Sequence, residues 1–104
     1  MSATQLPPMT EAKWQQQVIN LAKVYGFRVY HTRYSIGSDA GWPDITLVKS
    51  GRKPIFLELK SERGNASLDQ LIWIAALNDT GHAVAMVAKP SDWDTVVSLL
   101  QGDE

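Results

Sequence analysis

At 104 residues, 44% hydrophobic and 20% charged, the chain has the make-up of one modest globular domain and not of a disordered segment. It holds no cysteine, which excludes a disulfide framework, a thiolate metal site and a cysteine nucleophile. The net charge of −1 conceals an asymmetry: residues 1–63 carry nine Lys and Arg against five Asp and Glu, and residues 64–104 carry one against six.

Residues 1–9, with Pro7-Pro8, read as a disordered or extended lead-in, and residues 10–104 as a single domain. The lead-in lacks a signal-peptide pattern and no apolar run could span a bilayer, so a cytoplasmic protein is expected. Thr10 is a candidate N-cap for a helix from about Glu11 to Tyr25, closed by Gly26 at C′. Trp14, Val18, Leu21, Ala22 and Tyr25 recur at helical spacing and form its inward face, with Glu11 at the end of that face. A first strand is expected over about Phe27 to His31, then a loop from Thr32 to Pro43 that contains two glycines, two serines and Arg33.

A second strand follows over about Asp44 to Lys49, a hairpin connection at Ser50-Gly51-Arg52-Lys53, and a third strand over about Pro54 to Lys60. After a loop around Arg63, Ser67 caps a helix reaching about Asn78. The run from His82 to Ala88 is apolar enough for a central strand. Ser91 is the expected N-cap of a last helix whose Val96, Val97 and Leu100 face inward. The order α-β-β-β-α-β-α, with the fourth strand reached through a helix, predicts an α/β fold with a mixed sheet flanked by helices.

The most informative residues close the third strand. Side chains alternate along a strand, so Glu58 and Lys60 share one face while Ile55, Leu57 and Leu59 share the other. Charges on so apolar a strand need partners, because a dry, unpaired charge is costly. A carboxylate beside an ammonium, with Asp44 able to come alongside, is equipment for holding a divalent cation against a phosphodiester.

Gly41-Trp42-Pro43-Asp44 leading into strand two, and Glu58-Leu59-Lys60 closing strand three, resemble the PD-(D/E)XK nuclease superfamily. Within it the chain looks most like the VRR-NUC domain, the virus-type replication and repair nucleases. That group is marked by Gly-x-Pro-Asp, Glu-x-Lys and a following Ser-x-x-Gln, here Ser67-Leu68-Asp69-Gln70, and by a glutamate near the start of the first helix, which Glu11 matches. Archaeal Holliday-junction resolvases share the same core. The resemblance implies a restriction-endonuclease-like αβββαβ core plus a C-terminal helix, with Asp44, Glu58, Lys60, Glu11 and Gln70 as catalytic residues. Mg²⁺ or Mn²⁺ would be held by Asp44, Glu58 and the carbonyl of Leu59, with Glu11 binding a second ion or acting through water. It further implies metal-dependent cleavage of branched DNA, four-way junctions above all, by a homodimer in a bacterial or virus-infected cell. The other readings are a non-catalytic DNA-binding or assembly protein on the same fold, and an RNA-processing nuclease.

Several of these residues also have plainer explanations. Pro43-Asp44 suits a turn, Glu11 suits the first turn of a helix, and Ser67 with Gln70 makes a capping box. Loop cations are usually solvated; Arg33 and Arg63 are the candidates for phosphate. Trp42 either stacks on an unpaired base or covers the core, Trp14 and Trp73 suit packing, and His31 and His82 are structural.

Overall fold

A computed structural model describes residues 9–33 and 39–102; the lead-in up to Pro8 and loop residues 34–38 lie outside them. The first helix, α1, spans Glu11–Val24, and the Thr10 hydroxyl accepts the Lys13 N–H at 3.1 Å as the expected N-cap. Gly26 follows at φ +88°, the left-handed conformation that ends many helices. Trp14, Val18, Ile19 and Ala22 form the buried stripe, while Leu21 and Tyr25 pack at its margin. No described helix is long and apolar enough to cross a membrane.

Four strands, β1 (Arg28–His31), β2 (Ile45–Val48), β3 (Ile55–Leu59) and β4 (Val84–Ala88), form one mixed sheet in sequence order. β1–β2 and β2–β3 pair antiparallel and β3–β4 parallel. Ile45, Leu47, Ile55, Leu57 and Leu59 point to one face, where they are buried with the α1 stripe and with Val96 and Leu100 of the last helix, α3 (Trp93–Gln101). Each such fully buried aliphatic side chain contributes about 1.5–3 kcal/mol of transfer free energy. The opposite face carries Glu58 and Phe56, and there α2 (Leu68–Asp79) packs, chiefly against β4.

β4 is therefore an edge strand and not the central one its composition suggests. The crossover through α2 delivers it beyond β3, and its apolar character reflects cover from helices on both sides. Its outer edge is closed by one side chain. Asn78, at the end of α2, donates to the Ala85 carbonyl at 2.8 Å and accepts the Ala85 N–H at 2.9 Å, as a pairing strand would. A second departure concerns Ser91, which lies inside a 3₁₀ turn (Pro90–Asp92) ahead of α3 and caps nothing. The Asp92 carboxylate takes the Lys89 N–H instead, and the Ser91 N–H goes to Glu62.

The β2–β3 hairpin supplies two cations to helix C-termini, where the backbone dipole favours positive charge. Lys49 donates to the Tyr25 carbonyl at 2.7 Å. Arg52 donates to the carbonyls of Leu99 (2.7 Å) and Leu100 (3.2 Å). Both cations lie over the Phe27 ring, at 5.5 and 5.4 Å from its centroid. Arg52 is thus committed to the fold. Arg52→Ala is expected to lower stability by about 1–3 kcal/mol in urea unfolding.

Candidate functional site

The antiparallel register that pairs Ile45 with Leu57 puts Asp44, one step further along, opposite Glu58, so both carboxylates leave the same face. Asp44 is pinned from two sides. β1 extends past His31: the Thr32 N–H donates to the Asp44 carbonyl at 2.8 Å and the Thr32 hydroxyl to the Pro43 carbonyl at 2.7 Å. From β3, the Leu59 N–H donates to Asp44 Oδ2 at 2.8 Å. The preceding residues lock onto α2. Gly41 sits at φ +97°, and a Cβ there would fall 2.6 Å from the backbone of Asp69, so only glycine fits this approach. The Trp73 indole N–H donates to the Ala40 carbonyl at 3.0 Å beside it.

Glu58 is 1% exposed. Its Oε2 accepts from Gln70 Nε2 at 2.8 Å and has the Lys60 ammonium at 3.4 Å. Oε1 is buried and has no hydrogen-bond partner among the described residues. Burial first, and then the neighbouring Asp44 carboxylate, push Glu58 up to about 7, against the opposing pull of Lys60. Near neutrality Glu58 thus keeps its proton far more readily than an ordinary glutamate. A hard divalent cation is the other species that would satisfy an unpartnered buried carboxylate oxygen beside a second carboxylate, so Asp44 and Glu58 fit Mg²⁺ or Mn²⁺. Among the described residues no three His, Cys, Asp or Glu come together to hold a metal. Two carboxylates would therefore need backbone oxygen and water to complete the shell. The Leu59 carbonyl, which by strand geometry faces the same side as the N–H bonded to Asp44, suits that position.

Gln70 completes the cap its position suggests and also reaches Glu58. Its amide oxygen accepts the Ser67 N–H at 2.8 Å, and its backbone N–H donates to the Ser67 hydroxyl at 3.2 Å, a complete capping box. With the oxygen committed, only the NH₂ end is left to meet Glu58, which fixes the amide orientation. The N-terminus of α2 and the carboxylate are thereby tied through one side chain.

Two solved structures share this fold. One, described as a VRR_NUC domain protein, is 25% identical, with a TM-score of 0.69 over 91% of this chain and 88% of that one. Another, described as a VRR_NUC domain, is 20% identical, with a TM-score of 0.70 over 92% of this chain and 100% of that one. The chain folds as a VRR-NUC domain. Neither a protein-family model nor a curated protein matches the sequence.

The remaining candidate residues occupy different places on the VRR-NUC fold. Trp14 Nε1 and the Lys60 N–H both donate to the Ala88 carbonyl, at 3.0 and 3.1 Å, so the start of α1 lies at the same end of the sheet as Lys60. Glu11, one turn before Trp14, is exposed there and does not join Asp44 and Glu58 in a metal-holding group. Arg33 and Arg63 are exposed on loops. Trp42 packs edge-on against Phe56 (5.6 Å between centroids) and Trp73 (4.9 Å), covering the sheet beside the site. His31 and His82 are exposed and take no part in the site. Thr32, expected to open a loop, is instead a positioning residue: the strand pairing extended one step past His31 sets it opposite Asp44.

Proposed function

We propose that this chain is a metal-dependent, structure-selective DNA endonuclease that acts on branched DNA, four-way junctions in particular, as a homodimer. The observation that carries this reading is the convergence of Asp44 and a buried, half-satisfied Glu58 on one face, with Lys60 beside them. The likeness to solved VRR_NUC structures supports a nuclease over other phosphate chemistry. Asp44, Glu58 and the Leu59 carbonyl would hold a divalent cation, which would supply an acidified water and polarise the phosphate.

The protein's own groups do the rest. Gln70 and the Leu59 N–H hold the two carboxylates in register, so that little reorganisation remains once substrate is bound. The Lys60 ammonium is positioned to steer the attacking water or to offset the negative charge that builds on the phosphate oxygens. Glu11, at the same end of the sheet, would reach the site through water or a second ion. Arg33 and Arg63 would hold flanking phosphates, as charge-dominated contacts that weaken steeply with salt.

For assembly, α2 is the supporting element. The middle of α2, residues 71–77, is apolar on all sides, a pattern that ordinarily sits inside a structure, yet Leu68, Leu71 and Ile72 are exposed while Trp73 and Leu77 face inward. A two-fold axis beside α2 would bury that stripe and provide two sites for a two-fold substrate. Ile72→Arg is expected to convert a dimer into a folded monomer by light scattering. Wild-type protein that is monomeric both free and on junction DNA would remove the dimer from this reading.

The activity itself is tested by end-labelled cleavage of duplex, single strand, flap, splayed arm and four-way junction with Mn²⁺, Mg²⁺ or EDTA. Paired symmetric nicks in the junction, abolished by EDTA, are the expected result. Faster cutting of matched RNA would reassign the substrate, and a folded protein that cuts nothing would be a binding protein.

A further inference from the structure

The sheet face that carries Asp44 and Glu58 is covered unevenly. α2 lies over β4, and Trp42 covers Phe56 of β3, but β1 and β2 present Arg28, Tyr30 and Val48 to solvent. Tyr30 is 64% and Val48 48% exposed. Strand alternation sets these residues on the carboxylate face. Tyr30 pairs with Thr46, two residues along β2 from Asp44, and Arg28 pairs with Val48, two further on. With a rise of about 3.4 Å per residue, the Tyr30 row lies about 7 Å from the carboxylate row, one or two nucleotides along a strand seated at the site.

Charge decides what this face receives. Lys60 is its cation beside the carboxylates and Arg28 its cation at the open end, and Asp44 and Glu58 are the only acids among the described β1–β3 residues pointing that way. The other exposed apolar surface, on α2, carries Asp79 within it and Asp69 beside it, which repels phosphate. An exposed tyrosine ring can stack only on a base whose own faces are free, and a duplex keeps its bases stacked on one another. We propose that the open β1–β2 face binds an unpaired stretch of the DNA strand next to the scissile phosphate, with Tyr30 stacking on a base and Arg28 pairing with a backbone phosphate. This rests on the nuclease reading for the position of the scissile phosphate, and it requires the nucleotides beside the cut to be unpaired when bound, as in a splayed arm or at the opened branch point of a four-way junction.

Binding is measured by fluorescence anisotropy in EDTA, which prevents turnover, on a paired duplex and on the same duplex with a splayed arm. Tyr30→Ala is expected to weaken splayed-arm binding about fivefold or more and leave duplex binding unchanged, while Tyr30→Phe keeps wild-type affinity. Arg28→Ala is expected to weaken both and to reduce the salt slope by about one. A 5-iodouracil placed in the unpaired arm should photo-crosslink to Tyr30. Equal splayed-arm affinity for wild type and Tyr30→Ala, or a crosslink that maps elsewhere, would overturn the proposal. So would a wild-type dimer that Val48→Asp turns into a monomer, because the face would then belong to a second copy. Protein that crosslinks through Tyr30 but cuts nothing would keep this surface and remove the nuclease reading; protein that cuts without the crosslink would do the reverse.

Discussion

Glu58→Gln is expected to reduce cleavage by about 10³-fold or more in a protein that folds at least as well as the wild type. The substitution keeps the size and shape of the side chain and one oxygen to accept the Gln70 amide, so the tie to α2 survives. It removes a carboxylate whose burial is opposed by desolvation and by Asp44, and whose Oε1 is unpartnered. Losing that charge costs the fold little, because an uncompensated buried charge is a liability to stability. The same charge is what a hard cation requires of the site. Activity and stability therefore move in opposite directions, which an ordinary core substitution would not produce. Single-turnover cleavage of a labelled junction, beside thermal unfolding of both proteins, checks the pair. A variant cutting within tenfold of wild type would exclude Glu58 from the chemistry.

The part of this site legible in the sequence is the part written in local spacing. Thr10, Ser67 and Gln70 announce their caps within three residues. The alternation through Ile55-Phe56-Leu57-Glu58-Leu59 predicts which side of β3 is core, and Pro43-Asp44 marks where β2 begins. Contacts distant along the chain leave no such mark. Arg52 reaches carbonyls 47 and 48 residues away, and nothing near it distinguishes a helix-capping cation from a solvated one. β4 looks central because hydrophobicity reports cover on strand faces, whereas strand order depends on which backbone edges pair; Asn78 closes the edge of β4 without altering its composition. Local sequence leaves Trp42 free to stack or to pack, because its partners, Phe56 and Trp73, come from two other elements. Nothing local marks Tyr30 either. Its side of the sheet acquires meaning only through the register with β2.

In the absence of divalent cations, the melting temperature of the wild type is expected to fall, relative to that of Glu58→Gln, as pH rises from 5 to 8. The Glu58 carboxyl titrates at about 7 in the folded protein against 4.5 for an ordinary glutamate. Between those values the folded state holds a proton that the unfolded state has released, so stability declines with rising pH across that window. The contribution is complete below about 4.5 and gone above about 7. At 1.36 kcal/mol per pH unit it amounts to about 3 kcal/mol, roughly 10 °C or more for a domain of this size. Other carboxylates add their own pH dependence, and the difference between the two proteins removes it. Mn²⁺ is expected to take the place of the proton, and so to stabilise the wild type strongly at pH 8 and weakly at pH 5, where the proton competes. Glu58→Gln should respond weakly to Mn²⁺ at either pH. A difference between the proteins that stays flat with pH would mean that the buried carboxyl is ionised throughout, and equal Mn²⁺ stabilisation of both would move the cation away from Glu58. The expected pattern would identify one buried carboxyl as both the main pH-dependent weakness of the metal-free fold and the group through which a cation repairs it.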